Sequence, residues 1–134
     1  MKLLLALLSL LTPALRADDA KPAGAAVEKN VTPDEAEKLI TQKKELIILD
    51  VRTPDEFADG HIAGAMNLDL HGDDFQQKLK SLDKSKEYLV HCAAGHRSAQ
   101  AVKKMQQENF QTIYHMNGGL NAWKEAGKPL EKAK

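Results

Sequence analysis

The chain has 134 residues, with 19 lysines and arginines balanced by 19 aspartates and glutamates, and a single cysteine. That length suits one domain, and a formal charge of zero excludes a general nucleic-acid binder, whose basic excess would be marked. One cysteine excludes an internal disulfide framework and any multi-cysteine zinc site.

The 43% of hydrophobic residues are unevenly spread. Met1-Lys2 is a short basic start, Leu3 to Leu11 is an apolar run broken by Ser9, and Thr12-Pro13 ends it. The run is far shorter than the ~20 apolar residues that cross a bilayer as a helix. A basic start, an apolar centre and small residues beyond it fit a secretory leader. We place the leader at residues 1–17, with Ala14 and Ala20 as alternative cleavage positions. The expected outcome is export, with no stable membrane insertion after cleavage. Without residues 1–17 the chain keeps 17 basic residues against 19 acidic ones, a slight negative balance. Residues 18–30, rich in Asp, Ala and Lys with Pro22 and Gly24, read as a flexible linker. Residues 31–130 then form the domain.

Thr32-Pro33-Asp34-Glu35 is a helix start, with Thr at the cap, Pro in the first turn and Glu three residues on. Ala36, Leu39 and Ile40 give that helix its apolar face. Leu46 to Leu49 is a continuous apolar run, as in a strand covered on both faces. Thr53-Pro54-Asp55-Glu56 repeats the capping signature and opens a brief helix through Ala58. Ala65 to Leu68 predicts a short strand, and Asp73-Asp74 with Phe75, Leu79 and Leu82 a helix. Tyr88 to His91 is a further strand, followed by a helix from about Arg97 to Asn109. Thr112 to Met116 is the last strand, and Asn117-Gly118-Gly119 turns into a helix that ends at Gly127. Strands alternating with helices over short links predict an α/β fold, a central, mainly parallel sheet with helices on both faces.

The segment His91-Cys92-Ala93-Ala94-Gly95-His96-Arg97-Ser98 carries the chemistry. Its cysteine ends a strand, small residues follow, and a helix begins, which is where parallel sheets bind ligands. Amides of a tight loop and of a helix start converge on anions, and a thiolate is one. Arg97 adds a positive charge, so Cys92 is expected to ionise below the free-cysteine value of ~8.5 and to act as the nucleophile. Gly95 permits a positive φ, and Ala93 and Ala94 leave the loop backbone unobstructed. His91 reads as a packed or hydrogen-bonded structural residue, whereas His96 lies in the loop, within reach of substrate. Neither Cys92 with these histidines nor His61, His71 and His115 shows metal-ligand spacing.

Three blocks make the chain resemble the rhodanese family, specifically its small single-domain members. The first is Asp50-Val51-Arg52, Glu56-Phe57 and Gly60-His61-Ile62-Ala63-Gly64-Ala65 with Asn67. The second is the Cys92 to Arg97 loop with Ser98, and the third is Gly118-Gly119-Leu120 with Ala122-Trp123. They cover roughly residues 31–127, in order.

The resemblance implies a sulfurtransferase of the thiosulfate type. Cys92 would take a sulfane sulfur as a persulfide and pass it to cyanide or a thiol, a protein acceptor included. Ala93, Ala94, Gly95, His96, Arg97 and Ser98 would bind substrate, with no metal or organic cofactor. Cys92 to Arg97 is Cys-x4-Arg, as in the sulfurtransferases, whereas related phosphatases and arsenate reductases carry one more residue. His91-Cys92 echoes the start of their loop and keeps that chemistry as an alternative. A non-catalytic sulfur carrier or redox sensor is the other. Ala93 stands where some thiosulfate-active members have a basic residue, which leaves thiosulfate and a carrier persulfide both open as donors. Asp50 is expected to brace the loop, and Arg52 to pair with Glu56. Gly118, Gly119 and Trp123 are read as turn and packing residues. Likeness to small exported members favours a periplasmic over an extracellular destination.

Overall fold

The structure is a computed structural model that describes residues 27–133. The expected leader and residues 18–26 of the expected linker lie outside the described residues. Five strands, β1 (Val27–Asn30), β2 (Ile47–Asp50), β3 (Met66–Asn67), β4 (Glu87–His91) and β5 (Thr112–His115), form one sheet in the order β1-β5-β4-β2-β3. Each neighbouring pair is parallel. Five helices join them: α1 (Pro33–Gln42), α2 (Pro54–Asp59), α3 (Phe75–Ser81), α4 (His96–Gln107) and α5 (Gly119–Glu125). The α/β class and the parallel sheet match the expectation.

Both Thr-Pro-Asp-Glu stretches do what their chemistry predicts. The hydroxyls of Thr32 and Thr53 accept the Glu35 and Glu56 N–H, and each glutamate reaches back to its cap's N–H. Each box satisfies two amides that a helix start leaves without partners.

Alternation along the strands divides the core in two. Leu49, Tyr88, Val90 and Ile113 face α3 and α4, meeting Phe75, Leu79, Ala101, Val102 and Met105. Ile48 and Leu89 face the other way, against Ala36 of α1 and Leu120 and Trp123 of α5. Helices therefore cover both faces, and each fully buried leucine contributes roughly 2 kcal/mol of hydrophobic stabilisation.

One boundary differs. Val27–Asn30, inside the expected linker, is an edge strand paired in register with Thr112–His115. All four residues are exposed, so no apolar alternation marks them; backbone pairing to β5 holds the strand, with a side-chain hydrogen bond from Gln106 of α4 to Glu28. At the other end His61 and Glu131 exchange backbone hydrogen bonds at 2.8 and 2.7 Å, and Ala133 N–H donates to Ala58.

The topology also locates a crevice. From β2 the chain steps outward to β3, then returns to the opposite side of β2 to form β4, so the order reverses between β2 and β4. Ligands bind at the carboxyl ends of strands at such a reversal. Asp50 and His91 are register partners there, and Cys92 is the next residue.

Candidate active site

Cys92 leaves β4 at the carboxyl edge of the sheet, and the loop it opens is shaped from outside. The first-turn amides of α5 reach across: Leu120 N–H donates to the Cys92 carbonyl at 2.9 Å and Asn121 N–H to the Ala93 carbonyl at 3.0 Å. With those carbonyls drawn outward, the following amides turn inward. Gly95 N–H lies 3.1 Å and Ser98 N–H 3.3 Å from Cys92 Sγ, and the Ser98 hydroxyl is 3.3 Å from it. Gly95 takes the left-handed conformation that this reversal needs, at φ 107°. Gly119, at φ 70°, is required for a second reason, since a Cβ there would strike the Ala93 carbonyl.

These donors set the acidity of the thiol. Burial pushes the Cys92 pKa up, but hydrogen bonds from the Ser98 hydroxyl and the amides of Ser98, Gly95 and Ala94 outweigh it, and the net direction is down. The expected direction is met, and of the two expected agents the loop amides lead. Arg97 is not among the leading causes and acts on the thiolate only as a lesser influence: its guanidinium forks onto Glu56, with Nη1–Oε1 at 2.7 Å and Nη2–Oε2 at 3.1 Å. Glu56 is held at about 2 by that pair first and by Thr53 as well. The positive charge expected beside Cys92 is therefore matched one for one.

The expected Arg52–Glu56 pair is absent, because each side chain has a nearer partner. Arg52 folds back on Asp50, with Nε 2.9 Å from Oδ1 and Nη2 2.7 Å from Oδ2, and Nη2 also donates to the Gly60 carbonyl at 2.7 Å. Asn67 Nδ2 donates to the carbonyls of Asp50 and Arg52. Asp50 and Arg52 thus brace the turn after β2, beside the loop, and both are buried.

His91 is fully buried; its Nδ1–H donates to the Cys92 carbonyl at 3.0 Å, which leaves Nε2 without a hydrogen-bond partner, 3.7 Å from Asp50 Oδ2. Burial lowers its pKa, so it is neutral near pH 7. His96 is exposed on the first turn of α4, Ala94 is exposed, and Ala93, Gly95 and Arg97 are half-buried. Trp123 is a packing residue whose indole N–H donates to the Pro129 carbonyl at 2.9 Å.

One contact was not foreseen. His115, which ends β5, places Nε2 2.7 Å from the Ser98 hydroxyl oxygen, inside the Cys92 hydrogen-bond set. The sequence did hold a signal, since His115 ends a parallel strand at the same edge as Cys92.

Cys92 itself is only 2% exposed.

A family model described as Rhodanese-like domain matches residues 32–126. The chain is 34% identical over 106 residues to the thiosulfate sulfurtransferase GlpE of Pseudomonas putida, covering 78% of this chain and 92% of that protein. It is 28% identical over 91 residues to a sulfurtransferase of Allochromatium vinosum, covering 68% and 83%. Among solved structures, a rhodanese-like domain protein from Staphylococcus aureus superposes with a TM-score of 0.68 at 32% identity, covering 79% of this chain and 99% of that one.

Proposed function

The chain belongs to the rhodanese-like domain family, and from that premise we propose that it is a sulfurtransferase working through a Cys92 persulfide. It takes a sulfane sulfur from thiosulfate or a related donor and passes it to cyanide or a thiol. The observation that carries this reading is the set of hydrogen-bond donors, three amides and one hydroxyl, gathered on a buried Sγ.

The Cys92 thiolate attacks the sulfane sulfur of the donor, and the donor's own bond to that sulfur breaks. The remainder leaves with the electron pair, as sulfite if the donor is thiosulfate. Cyanide or an acceptor thiolate then attacks the outer sulfur of the persulfide, the S–S bond breaks, and Cys92 departs as thiolate. The same donors that favour the resting thiolate favour it as leaving group, because they are already in place when the charge returns.

The Arg97–Glu56 pair bears on the donor. A dianion gains little from a guanidinium whose charge is already matched, whereas a monoanionic persulfide needs less compensation. A persulfide donor is therefore preferred over thiosulfate, and the same pair disfavours phosphate or arsenate as substrate. We also place the reaction outside the cytoplasm, on the leader-like residues 1–17; N-terminal sequencing of secreted material tests that, and an intact Met1 refutes it.

The direct test is to expose the protein to glutathione persulfide or to thiosulfate and weigh it by mass spectrometry. Cys92 should gain one sulfur, faster from the persulfide, and lose it to cyanide as thiocyanate. Thiocyanate formation by Cys92→Ser would overturn the mechanism, and faster loading from thiosulfate would overturn the donor order.

A further inference from the structure

Ser98 is fully buried and its hydroxyl has one proton but three polar neighbours: Cys92 Sγ at 3.3 Å, the Gly95 carbonyl at 3.2 Å and His115 Nε2 at 2.7 Å. His115 is 6% exposed and fixed from both sides, since β5 pairs it with Asn30 of β1 and Val90 of β4. The shortest of the three contacts is the one to the imidazole, so the position of the hydroxyl proton is tied to the state of that ring.

The hydroxyl can donate to the Gly95 carbonyl while Oγ accepts from Nε2–H, and two further arrangements link Cys92 to His115. With Cys92 as thiol, S–H donates to Ser98 Oγ and the hydroxyl donates to an unprotonated Nε2. With Cys92 as thiolate, the hydroxyl must donate to Sγ, and Oγ then accepts from a protonated Nε2. We propose that His115 is a positioning residue that holds the proton of Cys92, passed to it through Ser98. In the forward step the S–H bond breaks as an O–H bond forms on Ser98, and the original hydroxyl proton moves to Nε2. The pair ends as thiolate and imidazolium with no proton gained from or lost to solvent. When sulfur transfer returns Cys92 as thiolate, the same imidazolium faces it through Ser98. The inference rests on the sulfurtransferase reading for its purpose, but not for its geometry.

The groups around the ring are few. Burial lowers the His115 pKa most, Glu28 of β1 raises it, and His91 of β4 lowers it. From α4 come the neutral Ser98 and Arg97, whose charge is held by Glu56. The thiolate is thus the counter-charge that makes a buried imidazolium tenable, and the two titrations are coupled.

Because the chain has one cysteine, iodoacetamide alkylation reports on Cys92 alone. The rate should follow thiolate with a midpoint below the free value, and His115→Gln, which can still hydrogen-bond Ser98 but cannot carry the proton, should raise that midpoint by about one pH unit. Ser98→Ala should raise it at least as far, and the double variant no further than Ser98→Ala alone. An unchanged midpoint in His115→Gln, or additive shifts in the double variant, overturns the relay. A second measurement needs no variant: the imidazole NMR signal of His115 should titrate together with Cys92 and lose that transition once Cys92 is alkylated. A ring indifferent to the block refutes the coupling. Neither readout involves sulfur transfer. A coupled titration without persulfide chemistry would sink the proposed function and spare the relay, and the reverse result would do the opposite.

Discussion

Glu56→Gln separates the two sources of anion affinity at the loop. The side-chain oxygen of Gln can still accept from Thr53 N–H, so α2 keeps its cap, but Arg97 loses its matched charge. The carboxyl sits at about 2 against a reference of 4.5, which at ~1.4 kcal/mol per pH unit corresponds to ~3 kcal/mol. The side chain is 37% exposed, and solvent screening leaves ~1 kcal/mol as the stability at stake. For the reaction, a freed guanidinium interacts with each unit of substrate charge by ~1 kcal/mol, taking charges about 7 Å apart and an effective dielectric of about 40. The thiosulfate ion carries one more negative charge at the reacting centre than the persulfide group of glutathione persulfide. The ratio of kcat/KM for thiosulfate over persulfide should therefore rise roughly five- to ten-fold. Thiocyanate production from each donor measures that ratio, and the gain should shrink when salt is raised. An unchanged or falling ratio would show that Arg97 is not held back by Glu56, and the argument for a persulfide donor would fail.

Gly119→Ala forces a side chain into a left-handed position and onto the Ala93 carbonyl. It should cost about 1–3 kcal/mol, visible as a lower Tm, and slow Cys92 alkylation near neutral pH because the loop amides shift; an unchanged Tm and rate would refute the close approach. In acid, histidines and then a carboxylate act in sequence. The pKa values of His91 and His115 are both lowered by burial, so the unfolded chain takes those protons first, and stability falls as pH drops through about 6.5. The pKa of Glu56 is lowered too; its contribution is complete above 4.5 and is lost as pH falls towards about 2. Urea unfolding across this range should show both declines, with the second smaller in Glu56→Gln; a flat profile between about pH 7 and pH 5 would reject buried neutral histidines at 91 and 115.

How much of this was legible in the sequence depends on the kind of contact. Both capping boxes are local, complete within four residues, and α1 and α2 begin where Thr32 and Thr53 predict. The apolar runs of β2 and β4 carry the sheet because their burial on both faces leaves a mark in composition. Val27–Asn30 leaves none, since an exposed edge strand is specified by its partner's backbone and not by its own side chains. The cysteine loop was readable as an anion-binding turn, but its pairings were not.

Glu56 shows why. Its capping signature assigns the carboxylate to a helix start three residues away, and that assignment is correct. The same Oε1 that accepts from Thr53 also accepts from Arg97, 41 positions later. A pattern that explains a residue locally gives no reason to look for a distant second role. Likewise Asp50 and Arg52 satisfy each other within one turn, so no arginine from the first block is left over for Glu56. Once those two pairs form, no uncompensated arginine remains between these blocks to hold a thiolate. Apart from the imidazolium proposed at His115, what acts directly on Sγ are dipoles, the loop amides and the Ser98 hydroxyl, and dipoles need fixed aim to substitute for charge. Gly119 and the α5 amides supply that aim by holding the loop's carbonyls outward. On this account the third block of the sequence belongs to the active site as much as the cysteine loop does, although none of its residues touches Sγ.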